Sequence, residues 1–414
     1  MSTRLLCCSG SLEGGGSERQ LWQLVRGVDH EQWQTAVYLL YRRGKYLHDL
    51  PDEVDVFDFW SQFDPDKMVV GQAYRQQVAH LTSLLQERSI AVVYDRTYHM
   101  TMVTAPACRR AGVPRISTIV SPPSRDFGQG KEKFGFLKRW ILARAYRSPL
   151  DITIALTEDS AQDAERFYRL PEGSVKVIPS PVDVQGVLAS AWKGPVPFTR
   201  EENEFHVCVV GRLSAEKGQA TAIEAFTGWQ RSMDSSRTQP KVKAYLHIVG
   251  DGPDREALQR RADEQECASS IRFHGFLDNP YSLIKESDLL LLPSEYEGLP
   301  NVVLESMALG TPVLATRCSE SLLKIFGHSA LNSEFASIVE VGDSSAMALE
   351  LSKLAEVARR GQLRDRAATA KEYVEHHHGM PQWLDRMQSL FSQQVASLPQ
   401  RPGKFSGDRN GELT

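Results

Sequence analysis

Ser294 to Thr316 reads SEYEGLPNVVLESMALGTPVLAT and follows the apolar run Leu289–Leu292. Four leucines closed by Pro293 read as a buried strand. Gly298 and Pro300 mark a tight turn, with Pro300 suited to the first turn of a helix. Val302, Val303, Met307 and Leu309 would cover the core side of that helix. Gly310 ends it, and VLAT at 313–316 is a second short strand. Two carboxylates flank the turn, Glu297 in the loop and Glu305 two helical turns in. The backbone N–H groups of Leu299, Asn301 and Val302 at the helix start suit an anion. Acids beside an anion site suit a ligand with both hydroxyls and phosphate, such as a nucleotide sugar. Spacing alone also fits a solvated helix face.

Outward from this stretch, the 414 residues allow two to three domains at roughly 150 residues each. Hydrophobic residues at 41% and charged residues at 24% are ordinary for a globular protein. A net charge of −4 argues against nucleic acid as a partner. The six cysteines at 7, 8, 108, 208, 267 and 318 show no zinc spacing and suit reduced thiols in a cytoplasm. No signal peptide and no run of about 20 apolar residues is visible.

Strands and helices alternate through the first half. Leu5–Ser9 reads as a strand, GSLEGGGSERQ as a loop, and Leu21–Val28 as a helix. Ala36–Leu40, Ile90–Tyr94, Arg115–Val120, Ile152–Leu156 and Val175–Ile178 read as further strands between helices. A second series starts at Glu204 with the strand FHVCVVG, and Ala244–Val249 and Ile271–Phe273 follow. This rhythm implies α/β architecture with parallel, doubly wound sheets. Val184–Asn203, with Gly, Pro and charge, reads as a linker, and Gln382–Ser397 as an amphipathic helix. Asp64-Pro65-Asp66 follows a polar loop and is read as a chance Asp-x-Asp, not a metal site. His376, His377 and His378 do not share a helix face and are not read as metal ligands either.

The opening stretch, with its Glu-x7-Glu pair, resembles the donor-site motif of family 4 glycosyltransferases, retaining enzymes of the GT-B fold. Gly15-Gly16-Ser17-Glu18-Arg19 is similar to the family's GGxER loop, and GRLSAEKG at 211–218 to its GRL-x3-KG loop. The resemblance implies two Rossmann-like domains facing a cleft. It assigns residues 1–183 to an acceptor domain, 184–204 to the linker and 205–379 to the donor domain. Residues 380–398 would form a helix crossing back to the first domain, and 399–414 a disordered tail. It also implies site residues: Arg212 and Lys217 on the diphosphate, Glu297 on the sugar hydroxyls, and Glu305 on the ribose. Gly298, Leu299, Pro300 and Asn301 would meet sugar and phosphate, His274 the base, and Gly15 and Gly16 the donor phosphate.

The implied activity is transfer of a hexose from a nucleotide-diphosphate sugar to a glycan or lipid-linked acceptor, in polysaccharide or glycoconjugate synthesis. Two cations in place of a divalent ion imply that no metal or other cofactor is required. The alternatives are a catalytically silent GT-B protein that only binds the nucleotide sugar, and a GT-B epimerase, which the Glu297/Glu305 pair disfavours. TIVSPPS at 118–124 lacks a His that the family often carries there. RCSES at 317–321 replaces the family's Gly-Gly turn, and both imply an altered sugar pocket. The basic stretch KEKFGFLKRWILARAYR at 131–147 reads as a helix packed by one face. Its cations also fit contact with anionic lipid, each contributing about 1 kcal/mol near the surface. That reading makes the protein cytoplasmic, peripheral on the inner face of a membrane.

Overall fold

The computed structural model describes residues 2–63, 70–128, 135–235, 242–326, 336–359 and 363–397. Asp64-Pro65-Asp66, residues 131–134 of the basic stretch and the expected tail at 399–414 lie outside them. The structure is α/β, as expected, with two sheets. The first contains β1 (Thr3–Ser9), β2 (Trp33–Leu39), β3 (Asp55–Asp58), β4 (Val92–Arg96), β5 (Arg115–Ile119), β6 (Asp151–Ala155) and β7 (Val175–Val177) in the order β3-β2-β1-β4-β5-β6-β7. The second contains β8 (Glu204–Val210), β9 (Lys243–Val249), β10 (Ile271–Gly275), β11 (Leu289–Leu292), β12 (Val313–Thr316) and β13 (Ala336–Val339) in the order β10-β9-β8-β11-β12-β13. All pairs of the second sheet are parallel. In both sheets the order reverses beside the first strand, between β1 and β4 and between β8 and β11. Ligands of open parallel sheets bind outside the carboxyl ends of the strands at such reversals.

By their contacts the described residues resolve into two compact units, one drawn from residues 2–117, 140–152 and 386–397, the other from residues 118–139 and 153–385. In the first, β1 is paired on both sides, to β2 and β4, so Leu5, Leu6, Cys7 and Cys8 are all buried. Burying one such leucine contributes about 1.5–3 kcal/mol. The end of the helix Met380–Ala396 belongs to this unit. Its Phe391 meets Trp33 edge-on at 5.6 Å, and Gln388 accepts the Asp29 N–H at 2.8 Å. The unit also buries charge: the Arg115 guanidinium lies 3.1 Å from Asp95 and 3.0 Å from Asp151. Ser117, Thr101 and Thr104 hydroxyls donate to Asp95, so the buried Arg115–Asp95 pair is hydrogen-bonded on its acidic side as well.

In the second unit successive strand residues serve opposite faces, which explains why these strands read as unbroken apolar runs. Cys208, Leu290, Leu292 and Ala315 pack with Val303, Leu304 and Met307 of the helix Asn301–Leu309. Val207, Val209, Leu289, Leu291 and Leu314 pack on the other side with Ile223, Phe226 and Trp229 of the helix Gln219–Ser235.

Residues 184–204 differ from the linker expected there. Their first half is the helix Val184–Lys193. Asp183 caps it by accepting the Gly186 N–H at 2.9 Å, and Val184, Val187 and Ala191 sink into the core beside Asn301–Leu309. An Asp cap before apolar residues at helical spacing was a legible signal, obscured by the Gly and Pro that follow. The basic stretch is helical from Gly135 to Tyr146, with Leu142, Ala145 and Tyr146 buried. Among the described residues no helix is long and apolar enough to cross a membrane.

Candidate active site

The loops after β8 and β11 meet at the reversal of the second sheet. The Glu295 N–H donates to the Glu216 carbonyl at 2.9 Å. Gly218 sits at φ +67°, and a Cβ there would stand 2.0 Å from the Pro293 carbonyl oxygen, so only glycine lets the loops approach this closely. This closeness brings Lys217 Nζ to 2.7 Å from Glu297 Oε1. Ser294 Oγ donates to the same oxygen at 2.8 Å. Glu297 is the more enclosed of the pair, with its side chain 12% exposed against 28% for Lys217.

Arg212 opens the same loop. Its carbonyl accepts from Gln219 Nε2 at 2.9 Å, while its exposed guanidinium pairs with no described residue. Between the two cations, Glu216 is held below the usual carboxylate range, chiefly by the Ser214 hydroxyl, with Lys217 and Arg212 adding to it.

Pro300 caps the helix Asn301–Leu309, and Asn301 and Val302 open it with amides that have no intrahelical acceptor. Gly298 and Leu299 are half-buried before it. Asn301 Oδ1 is buried without a hydrogen-bond partner among the described residues, an orphan that a ligand donor would satisfy. One turn further in, Glu305 is buried and accepts the Tyr281 hydroxyl at 3.0 Å. Gly310 ends the helix at φ +72°, as the sequence implied. His274 lies at the end of β10, where its Nε2 stands 2.9 Å from His247 Nδ1.

The second unit therefore places Arg212, Lys217, Glu297, Gly298, Leu299, Pro300, Asn301, Glu305 and His274 on the carboxyl-terminal side of one sheet. Gly15 and Gly16 belong to the first unit. There the Gly14 and Gly15 amides donate to Glu18 Oε2 at 2.7 and 2.9 Å, and Ser11 Oγ donates to Oε1 at 2.7 Å. Burial pushes the Glu18 carboxyl up, but these bonds outweigh it and hold it down. The Gly15 amide thus caps its own helix, Gly16–Gly27, rather than standing open for a phosphate. In place of the Gly-Gly turn, Ser319 of RCSES caps the helix Glu320–Ile325 by accepting the Leu322 N–H at 3.2 Å.

Sequence reading missed Ser294, Glu216 and Tyr281. Ser294 sits inside the opening stretch three residues before Glu297, a spacing that is a usable signal. Tyr281 carried none, since only folding sets it against Glu305. Among the described residues no cluster of His, Cys, Asp or Glu is arranged to hold a metal ion.

Two family models match the chain, "Glycosyl transferases group 1" over residues 193–372 and "Glycosyltransferase Family 4" over residues 14–185. A lipopolysaccharide core biosynthesis glycosyltransferase, LpsD of Rhizobium meliloti, is 30% identical over 36% of this chain and 39% of its own. The 2-deoxystreptamine N-acetyl-D-glucosaminyltransferase of Streptomyces fradiae is 29% identical over 51% of this chain and 48% of its own. The chain thus matches less than half the length of these relatives. Among solved structures, Anabaena HepE in complex with UDP superposes with a TM-score of 0.72 at 19% identity, covering 95% of this chain and all of that one. The fold is GT-B, and the chain belongs to the glycosyl transferases of group 1.

Proposed function

We propose that the protein is a retaining hexosyltransferase that uses a nucleotide-diphosphate sugar without a metal ion. The observation that carries this reading is the pairing of Lys217 with Glu297 at the sheet reversal, a cation and an acid held where leaving group and sugar would meet. The anomeric C–O bond to the diphosphate breaks as the acceptor oxygen bonds the same carbon on the same face. The acceptor proton passes to the departing phosphate oxygen, so no separate base is needed. Negative charge grows on the diphosphate during this step, and Arg212 and Lys217 oppose it. Arg212 can grip a phosphate bidentately, and Lys217 supplies a movable point charge. Glu297 would bind sugar hydroxyls and Glu305 the ribose. Asn301 and the helix-start amides would serve sugar and phosphate.

The acceptor we propose is a glycan or lipid-linked glycan in glycoconjugate synthesis, in keeping with relatives named for lipopolysaccharide core synthesis. Peripheral contact with the inner face of a membrane is part of this reading. On the helix Gly135–Tyr146, Phe136 is 87% exposed, and Leu137 and Trp140 are also exposed. Arg144 and Arg147 lie further along the same stretch, where Arg109, Trp140, Arg144 and Arg147 line a surface hollow of about 390 Å³. Sedimentation with anionic vesicles should fall with salt and with Trp140→Glu; equal sedimentation of wild type and variant would remove the membrane from this reading.

A thermal-shift panel of nucleotide sugars identifies the donor by its stabilisation. Release of nucleoside diphosphate from that donor, by hydrolysis or transfer, should then survive excess EDTA. Activity abolished by EDTA and restored by manganese would overturn the metal-free mechanism.

A further inference from the structure

Three histidines form a ladder across neighbouring parallel strands. His206 Nδ1 lies 2.9 Å from His247 Nε2, and His247 Nδ1 lies 2.9 Å from His274 Nε2. His206 and His247 are fully buried, and Phe198 stacks on both rings with centroids 4.4 Å away. At the far end His206 Nε2 lies 3.2 Å from Glu204 Oε2, which also accepts the Glu201 N–H at 2.9 Å. Lys243 Nζ stands 2.8 Å from the other oxygen, Oε1.

The ladder has a direction. A neutral imidazole donates from one nitrogen and accepts at the other, and a carboxylate only accepts. Burial pushes the Glu204 carboxyl up, but the bonds from Lys243, Glu201 and His206 outweigh it and hold it down to about 2, so it is ionised. Burial pushes all three histidines down, and Arg272 pushes His247 and His274 the same way, so the rings are neutral. His206 must therefore donate its Nε2–H to Glu204 and accept at Nδ1. His247 then donates from Nε2 and accepts at Nδ1, and His274 donates from Nε2. The remaining nitrogen of His274, Nδ1, carries a lone pair and bonds no described residue. His274 itself is half-buried, at the carboxyl end of edge strand β10.

We infer that Glu204, acting through His206 and His247, is a positioning residue that fixes the tautomer of His274, presenting an acceptor nitrogen that favours a base with a ring N–H, such as uracil, over one with a ring lone pair, such as cytosine. This specificity rests on the donor-site reading above; the direction of the ladder does not.

The first test is the ligand-free protein labelled with 15N-histidine. Long-range 1H–15N spectra should show all three rings neutral, protonated at Nε2 and bare at Nδ1. A proton on Nδ1 of His274 overturns the inference whatever the protein binds. In Glu204→Gln the amide must set its NH2 group either against Lys243 or against His206 and the Glu201 N–H. The direction is then no longer imposed, and a fraction of His274 should carry its proton on Nδ1. An unchanged single tautomer overturns the role of Glu204.

The second test is calorimetric binding of UDP and CDP. Wild type should prefer UDP by about tenfold, the discrimination one hydrogen bond supplies. His247→Phe keeps a stacked ring but removes the acceptor, and its two affinities should converge. A preference retained in His247→Phe overturns the ladder's part in specificity. A wild type that binds neither nucleotide refutes the donor-site reading instead, while the tautomer result stands separately.

Discussion

Lys217 Nζ lies 2.7 Å from Glu297 Oε1, so the cation assigned to the leaving group and the acid assigned to the sugar are already paired without ligand. A donor entering this site has to share both partners. The pair also explains how an acid can stand beside the proposed diphosphate site: Lys217 screens it, and Ser294 fixes its orientation by a 2.8 Å bond.

Glu297→Gln keeps the shape of the side chain and removes its charge. Lys217 is then released toward the diphosphate, while the sugar hydroxyls lose a charged acceptor worth about 1.5–3 kcal/mol. The full nucleotide sugar should bind roughly tenfold or more weakly. The bare nucleoside diphosphate should bind equally well or better. Calorimetry with both ligands checks this, and parallel losses for the two would contradict it.

Tyr281→Phe removes the 3.0 Å bond that holds Glu305. A single hydrogen bond of this kind contributes about 0.5–1.5 kcal/mol, so nucleoside diphosphate affinity should drop by two- to tenfold. The turnover number should stay close to wild type, because the ribose lies outside the reacting bond. A large fall in turnover at saturating donor would assign Tyr281 a different part.

The histidine ladder makes stability depend on pH. Burial, with His274, His206 and Arg272 adding to it, holds His247 down to about 3 against an ordinary 6.5. Between these values the unfolded chain binds a proton that the folded chain does not, so stability falls as pH drops below about 6.5. The slope for one such group is at most about 1.4 kcal/mol per pH unit. Glu204, held down to about 2 from 4.5, adds a loss of the same sign over its own window. Urea unfolding from pH 7 to 4 should show a shallower fall for His247→Phe, and an unchanged slope would contradict this.

Local signals carried much of the architecture into the sequence. The strand at 289–292, the Gly-Pro turn and the glycine stop at 310 lie within one short stretch, and the structure has all three. Glu297 and Lys217 were legible for the same reason, each inside its own loop motif, but their contact was not, because 80 residues separate them. The histidine ladder was hidden in the same way: His206 and His247 are 41 residues apart and meet only through the register of β8 against β9. Tertiary pairing also overrode local appearance at Arg115, a charge that opens an apolar strand and is fully buried between two aspartates. At 184–193 a cap and an apolar period were present, and the glycine and prolines downstream disguised them.

The most direct measurement is the turnover of Lys217→Ala, read beside its donor affinity. A cation about 4 Å from a phosphate oxygen gains roughly 4 kcal/mol at an effective dielectric near 20, before desolvation. Only the part that grows as the C–O bond breaks accelerates the reaction. Turnover should fall by about two to three orders of magnitude, as when a charge-stabilising donor is removed elsewhere. Folding stability should change by about 1 kcal/mol or less, since the Glu297 pair is partly exposed. Turnover left intact with donor bound, or a variant that no longer folds, would contradict the assignment of Lys217 to the leaving diphosphate.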